Sequence, residues 1–176
     1  MSSSDSALFL LRLGSEVTTK SRRVRMRFQR QLKQNLEEAL TAAGIKHRVR
    51  NEWSRLFVEA ETADALATLK RVFGVHSISL VRRRCDPTLE EIVRVGEETF
   101  ADDVRGKTFA VRARRSGEFP FRSMDIQIEL GRALNQYAEV DLGNPDVTVY
   151  VEVRSETVYF FSEHIPAAGG LPAFPD

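Results

Sequence analysis

The chain has a single cysteine, three histidines and one tryptophan among its 176 residues. One cysteine, Cys85, excludes an internal disulfide framework and any zinc site built by this chain from cysteines alone. It fits a reducing compartment. No apolar run approaches the roughly 20 residues that a membrane-spanning helix needs. Met1-Ser2-Ser3-Ser4-Asp5 offers no basic segment leading into a long apolar stretch, so a secretory signal is not expected. A cytoplasmic location with no membrane attachment is the resulting expectation. The patterns that cradle phosphates or raise a nucleophile are missing too: Gly-x-x-x-x-Gly-Lys-Ser/Thr, Gly-x-Gly-x-x-Gly and Gly-x-Ser-x-Gly do not occur. His47, His76 and His164 have no second histidine at metal-ligand spacing. Glu90-Glu91, Glu97-Glu98 and Asp102-Asp103 fall on one expected helix, where neighbours point to different faces, and they read as a solvated acidic surface. Arg82 to Arg84 would lower the pKa of Cys85, yet a lone cysteine at a hinge reads as inert. No catalytic residue and no metal ligand is expected.

What is present is charge, unevenly placed. Apolar residues make up 42% and charged residues 29%, a balance that folds. The net charge of +1 conceals an asymmetry: residues 1–87 carry 17 Lys/Arg against 9 Asp/Glu, and residues 88–176 carry 9 against 16. A basic half joined to an acidic half suits a polyanion-binding module beside a differently charged one; the alternative is that the halves neutralise each other.

The apolar run Ala7–Leu13, ending at Gly14, predicts a buried strand. Val24, Phe28, Leu32, Leu36, Leu40 and Ala43 recur at helical spacing, so a long amphipathic helix is expected from Ser21 to about Ala43, stopped by Gly44. Two strands follow, Lys46–Arg50 and Leu56–Ala60, around a turn at Asn51–Arg55. A second helix over Thr62–Arg71 would face inward with Ala65, Leu66, Leu69 and Val72, and Val75–Arg83 closes as a strand. The order βαββαβ is the ferredoxin-like arrangement. Arg84-Cys85-Asp86-Pro87 breaks the pattern and marks a boundary. Thr88 and Glu91 make a capping-box pair opening a helix with Leu89, Ile92, Val93 and Phe100 inward. A strand from Thr108 should turn Phe109, Val111 and Ala113 to one side and Thr108, Arg112 and Arg114 to the other. Ser123 or Asp125 then caps a helix bearing Ile126, Ile128, Leu130, Leu134 and Tyr137. Strands Val147–Val153 and Thr157–Phe161 follow, and Ala168–Pro172 reads as a linker or docking tail.

The segment from Gly106 to Asp125 carries the strongest functional signal. Its arginines suit phosphate, Phe119 and Phe121 suit base stacking, and Ser123 at a helix start suits an anion. The plainer reading is a strand and turn with solvated arginines. Lys20, Arg22, Arg23, Arg25, Arg27, Arg30 and Lys33 crowd the start of the first long helix, where cations oppose the helix dipole and so call for another partner. Arg82-Arg83-Arg84 could extend these groups into a basic track.

Seven ordered landmarks carry a resemblance: Gly14-Ser15-Glu16-Val17 with Lys20 and Arg27-Phe28; Val72-Phe73-Gly74-Val75-His76-Ser77; Gly106-Lys107-Thr108-Phe109-Ala110-Val111-Arg112; Ser123-Met124-Asp125-Ile126 with Gly131; Leu142-Gly143-Asn144-Pro145-Asp146; Val151-Glu152-Val153; and Gly169-Gly170-Leu171-Pro172. From about Leu8 to Pro172 the chain resembles the N-terminal part of bacterial tRNA 4-thiouridine synthases, tRNA sulfurtransferases also linked to thiamine biosynthesis. The resemblance implies an α+β chain with a ferredoxin-like domain at 1–84, an α/β THUMP domain at 85–166 and a tail at 167–176 leading toward a catalytic domain. It implies tRNA held by its acceptor stem and 3′ CCA end, and dimerisation. The residues expected to touch RNA are Lys20, Arg22, Arg23, Arg25, Lys107, Arg112, Arg114, Arg115, Phe119, Phe121, Arg122 and Ser123.

In that family an ATP-pyrophosphatase domain follows, with a Ser-Gly-Gly-x-Asp-Ser loop that binds ATP and adenylates the uridine. The sequence ends at Asp176 without that loop or a rhodanese-like cysteine. The expectation is a chain that holds tRNA, is non-catalytic alone and needs no cofactor itself. ATP, a pyrophosphatase-domain protein and a sulfur donor would belong to the catalytic part, in cis or in trans. The alternatives are a tRNA-binding adaptor for another tRNA-modifying enzyme and a ferredoxin-like protein-interaction or dimerisation module.

Overall fold

The computed structural model describes residues 6–52 and 55–176. The N-terminal pentapeptide and Trp53-Ser54, inside the expected turn at Asn51–Arg55, lie outside the described residues. The chain forms two compact units, one made of the residues up to Leu80 together with His164–Asp176, the other of Val81–Glu163.

In the first unit the order is β1 (Ala7–Leu13), α1 (Ser15–Thr18), α2 (Arg22–Ala42), β2 (His47–Glu52), β3 (Arg55–Ala60), α3 (Ala65–Leu69) and β4 (Val75–Leu80). The second holds β5 (Arg83–Cys85), α4 (Leu89–Val104), β6 (Thr108–Ser116), α5 (Ser123–Leu134), β7 (Glu139–Val140), β8 (Val147–Arg154) and β9 (Thr157–Phe161), after which β10 (Ile165–Pro166) returns to the first.

The first sheet is antiparallel, in the order β10-β4-β1-β3-β2. Strand alternation sends Phe9, Leu11 and Leu13 to the same face as Leu56 and Val58. Leu32, Leu36 and Leu40, each four residues on and so above one another on α2, close over them with Ala65 and Leu69 of α3. Ser21 caps α2 by accepting from the Val24 N–H at 3.4 Å. Gly44, at φ +73°, ends it where a side chain would be strained. The expected apolar stripe stops short at its N-terminal end: Val24 is exposed. The expected helix over Thr62–Arg71 contracts to α3 with turns on either side.

The strand expected over Val75–Arg83 ends at Leu80. The Arg82 N–H donates to the Phe160 carbonyl at 2.8 Å, and Arg83–Cys85 then pair with β9. Backbone pairing with the second sheet thus begins before Pro87. The C-terminal residues dock on the first unit. Ile165 and Pro166 pair with Ile78 and Ser77 of β4, and backbone hydrogen bonds continue beyond the strand, Gly74 N–H donating to the Gly169 carbonyl at 2.8 Å and Gly169 N–H to the Val75 carbonyl at 2.7 Å. Gly74 has φ +104°, and a Cβ there would lie 2.9 Å from Cγ of Pro172. Farther on, Asn35 donates to the Ala173 carbonyl at 2.7 Å. Phe174 meets Phe28 edge-on at 5.4 Å, with Arg27 4.9 Å over the Phe174 ring.

The second sheet runs β5-β9-β8-β6-β7. β6 is parallel to both β7 and β8, while β8-β9 and β9-β5 are antiparallel. α5 lies in the connection between parallel strands, as such crossovers require. Phe109, Val111, Val149, Val151, Val158 and Phe160 bury one sheet face against Ile92, Val95, Phe100, Ile126, Leu130 and Leu134 of α4 and α5. Val95 and Gly96, not Val93, complete the inward face of α4. A Cβ at Gly96 would lie 2.7 Å from Leu130 Cδ1 and 3.2 Å from Phe160 Cε1, so glycine lets α4 approach α5 and the sheet. Ile128 departs from expectation and is exposed on α5.

Candidate nucleic-acid interface

β6 is the central element of the candidate site. It pairs with β8 from Phe109 to Ser116 but with β7 only at Thr108 and Phe109. Beyond that point no described strand covers its outer edge. The Ala113 N–H finds its acceptor in a side chain instead, Oε1 of Gln127 on α5 at 3.1 Å. The alternation expected of β6 holds: Phe109 and Val111 are buried, Arg112 and Arg114 exposed. Arg112 donates to the Leu142 carbonyl at 2.9 Å. The Arg114 side chain makes no hydrogen bond or ion pair among the described residues, so its cation is available at the strand edge.

The loop after β6 is anchored from inside. Phe121 is 6% exposed and belongs to the core, and Phe119 stacks on it with centroids 5.6 Å apart and planes at 23°. The expected exposed stacking platform is therefore corrected at Phe121: its ring is spent on burial, and half-buried Phe119 covers it. Arg115 donates to the Phe119 carbonyl at 3.4 Å. The helix start also differs from expectation. Arg122 occupies the N-cap position, and Asp125 reaches back to accept its N–H at 2.7 Å, while Ser123 is the first helical residue. The Arg122 side chain remains 76% exposed, 3.8 Å from Asp125. Met124 and Ile128 expose apolar surface on α5, one turn apart. Met124, expected only as part of a family landmark, places its sulfur 3.6 Å from the Gln127 amide nitrogen.

Lys107 does not join this group. It precedes β6 at the opposite end, eight residues from Arg115 and so roughly 26 Å away along the strand. There Asp146 accepts from the Thr108 N–H at 3.0 Å and its own N–H donates to Oγ1 of Thr108 at 3.0 Å. The hydrogen bonds from Thr108 hold the Asp146 carboxyl below its ordinary range, with a smaller contribution from the Lys107 charge.

Lys20, Arg22, Arg23 and Arg25 lie on the first unit, at the entrance to α2, whose first turn contains no acidic residue. Lys20 stands 5.9 Å from the Phe28 ring centroid. Arg82-Arg83-Arg84 does not extend a basic track. Arg82 pairs with Asp103 and lies 4.9 Å over Phe100. Arg83 pairs with Glu98 at 3.2 Å, and Arg94 clamps Glu91 and Glu98 at 2.7 and 3.1 Å. The acidic face of α4 thus neutralises two of the three linker arginines, which sequence spacing could not reveal. Burial, helped by Glu91 and Asp86, pushes the Cys85 thiol up to about 12, against the lowering expected from its arginine neighbours. Among the described residues no three His, Cys, Asp or Glu side chains cluster to hold a metal, and no helix is long and apolar enough to cross a membrane.

The fold and site define the class: an α+β protein in which a ferredoxin-like unit precedes a mixed α/β unit that displays arginines at a strand edge. Residues 8–79 match the ThiI ferredoxin-like domain and residues 87–163 the THUMP domain. The chain belongs with the ferredoxin-like and THUMP region of tRNA sulfurtransferases. It is 40% identical over 164 residues to the Aeropyrum pernix protein named "Probable tRNA sulfurtransferase", covering 90% of this chain and 41% of that one. It thus spans about two fifths of that relative's length. The crystal structure of PH1313 from Pyrococcus horikoshii superposes with a TM-score of 0.83 at 32% identity, over 94% of this chain and 57% of that one. The crystal structure of a 4-thiouridine synthetase–RNA complex with bound ATP superposes with a TM-score of 0.68 at 25% identity, over 94% and 43%.

Proposed function

We propose that the chain is a tRNA-binding module that recognises the acceptor stem and 3′ CCA end and presents tRNA for uridine thiolation to 4-thiouridine. The catalytic step belongs to a domain outside this chain, together with ATP and a sulfur donor, and a homodimer is the proposed working state. The observation that carries this reading is the exposed Arg114 on β6, a strand whose outer edge no described strand covers beyond Phe109, together with exposed Arg112 on the same strand and Arg122 at the start of α5. Guanidinium groups and helix-start N–H groups there suit the phosphates of a single-stranded end. Arg115 and Ser123 frame the same loop, Phe119 supports it from below, and Lys107 reaches RNA only as a separate contact. Lys20, Arg22, Arg23 and Arg25 add a contact from the first unit. The names of the relatives and the RNA-bound neighbour support the same reading.

A protein-interaction module would offer the acidic helix Glu90–Asp103 and the tail as its surfaces. Glu91, Glu98 and Asp103 are instead engaged with arginines of their own unit, which weakens that alternative. The test is fluorescence anisotropy with labelled tRNA, with and without its CCA end. Tighter binding of the intact end, lost on Arg114→Glu, is expected. Equal affinity for both transcripts would remove the claim of end recognition.

A further inference from the structure

A second cationic surface runs along α2 beyond the residues assigned above. Arg22, Arg25, Met26, Gln29, Arg30 and Lys33 recur at spacings of three and four, so they share one stripe of the helix. With Asn51 of β2 they line an open groove of about 380 Å³. Among the described residues no carboxylate lines it. The side chains of Arg22, Arg30 and Lys33 make no hydrogen bond or ion pair among the described residues. Lys33 is half-buried and Gln29 is 6% exposed, which gives the groove a floor, and Met26 exposes 47% of its surface to it. From Arg22 to Lys33 the cations extend over roughly 16 Å at 1.5 Å per residue. An isolated phosphate engages one or two such groups. A row this long matches successive phosphates of a nucleic-acid strand, whose charges repeat every few ångströms. The Met26 surface between them suits the apolar side of a sugar.

We propose that this groove holds the sugar–phosphate backbone of RNA, without reading its sequence. The proposal rests on the tRNA-binding reading and adds to it a site that does not sense the 3′ end. It assigns Arg30, Lys33, Met26, Gln29 and Asn51 a role alongside Arg22 and Arg25.

The test measures binding of tRNA transcripts with and without CCA by the full chain across a salt series. Three proteins are compared: the wild type, an Arg30→Glu/Lys33→Glu variant and Arg114→Glu. The double variant is expected to lose at least about tenfold in affinity for both transcripts alike, and to flatten the slope of log K against log salt by ~1.4–1.8, two phosphate contacts at ~0.7–0.9 each. Arg30→Gln/Lys33→Gln should flatten it equally with a smaller affinity loss, and thermal melting checks that each variant folds. An unchanged slope in a wild type that binds tRNA would overturn the groove assignment alone. No binding by the wild type would overturn the tRNA reading as well. Inorganic phosphate displacing tRNA from the wild type but not from the double variant, at matched ionic strength, would reassign the groove to free phosphate. Retained tRNA affinity with loss of an acidic protein's binding would reassign it to a protein partner.

Discussion

Phe119 and Phe121 lie face to face, 5.6 Å between centroids and 23° from parallel, with Phe121 6% exposed. The pair holds the loop between β6 and α5, which supplies the Phe119 carbonyl that Arg115 bonds and leads into Arg122, so an aromatic contact bears on where two cations stand. Phe121→Ala is expected to cost about 3–5 kcal/mol, as large core truncations do. It should also release the loop and weaken tRNA binding. Phe121→Leu should restore most of both. Thermal unfolding alongside tRNA titration checks this, and an unaltered melting temperature for Phe121→Ala would refute the anchoring role.

Gly96 stands where no side chain fits. Because a Cβ would fall 2.7 Å from Leu130 Cδ1, Gly96→Ala is expected to destabilise the second unit by about 1–3 kcal/mol despite the better helix propensity of alanine. Chemical denaturation reads the sign directly. A gain in stability would show that Leu130 moves aside at little cost.

Cys85 should be quiet in the folded chain. With the thiol pushed up to about 12, chiefly by burial, almost none is thiolate at neutral pH, and alkylation by iodoacetamide should be far slower than after unfolding. The linkage has a definite sign. Folding favours the protonated thiol, so this contribution is fully present below the ordinary value of 9.0 and is lost as pH rises from there toward 12. Cys85→Ala should flatten the alkaline limb of a stability–pH curve.

Asp146 behaves in the opposite sense. Its carboxylate is held low by hydrogen bonds from Thr108, so its contribution is present above the ordinary value of 3.8 and is lost as pH falls through the lower folded value. Asp146→Asn should lower the melting temperature at neutral pH and reduce the difference between neutral and acid conditions. A variant with the wild-type acid response would show that the Thr108 pairing contributes nothing to it.

The C-terminal residues should stabilise the first unit although they lie far away in sequence. Phe174→Ala removes the edge contact to Phe28 and Asn35→Ala the hydrogen bond to Ala173. Each should cost about 0.5–1.5 kcal/mol. Gly74→Ala should cost more, since it meets both Pro172 and a φ of +104°. Hydrogen exchange at β4 reports the effect locally.

The elements carried by periodicity were legible. The Leu32-Leu36-Leu40 stripe, the alternation around Phe109 and Val111, and the Thr88 cap all lie within a few residues of chain and need no tertiary information. The misreadings share a different property, dependence on what arrives from elsewhere. Phe119-Pro120-Phe121 sits among arginines and so reads as exposed, yet its core position depends on α4 and α5 closing over it. Arg82 and Arg83 read as free cations because their partners, Asp103 and Glu98, are 21 and 15 residues away on α4. Ala168–Pro172 suits a linker or a docking tail by composition; it docks, and the backbone pairing with Gly74 and Val75 that decides this leaves no mark in residue types. The exposure of Met124 is not legible either, because an apolar residue in a helix reads as core by default.

The second unit leaves β4 at Leu80 and returns through β10, which pairs with that same strand. Its two ends are therefore brought together on adjacent strands of the first sheet. A pull on the tail from Asp176 would first load the Phe174–Phe28 and Asn35–Ala173 contacts, then the pairing of Gly169 with Gly74 and Val75, and only then the seam between β10 and β4. In chain order residues 81–163 lie beyond that seam, so a pull on the tail must break a phenylalanine clasp and a strand pairing before it loads the segment that holds Arg112 and Arg114.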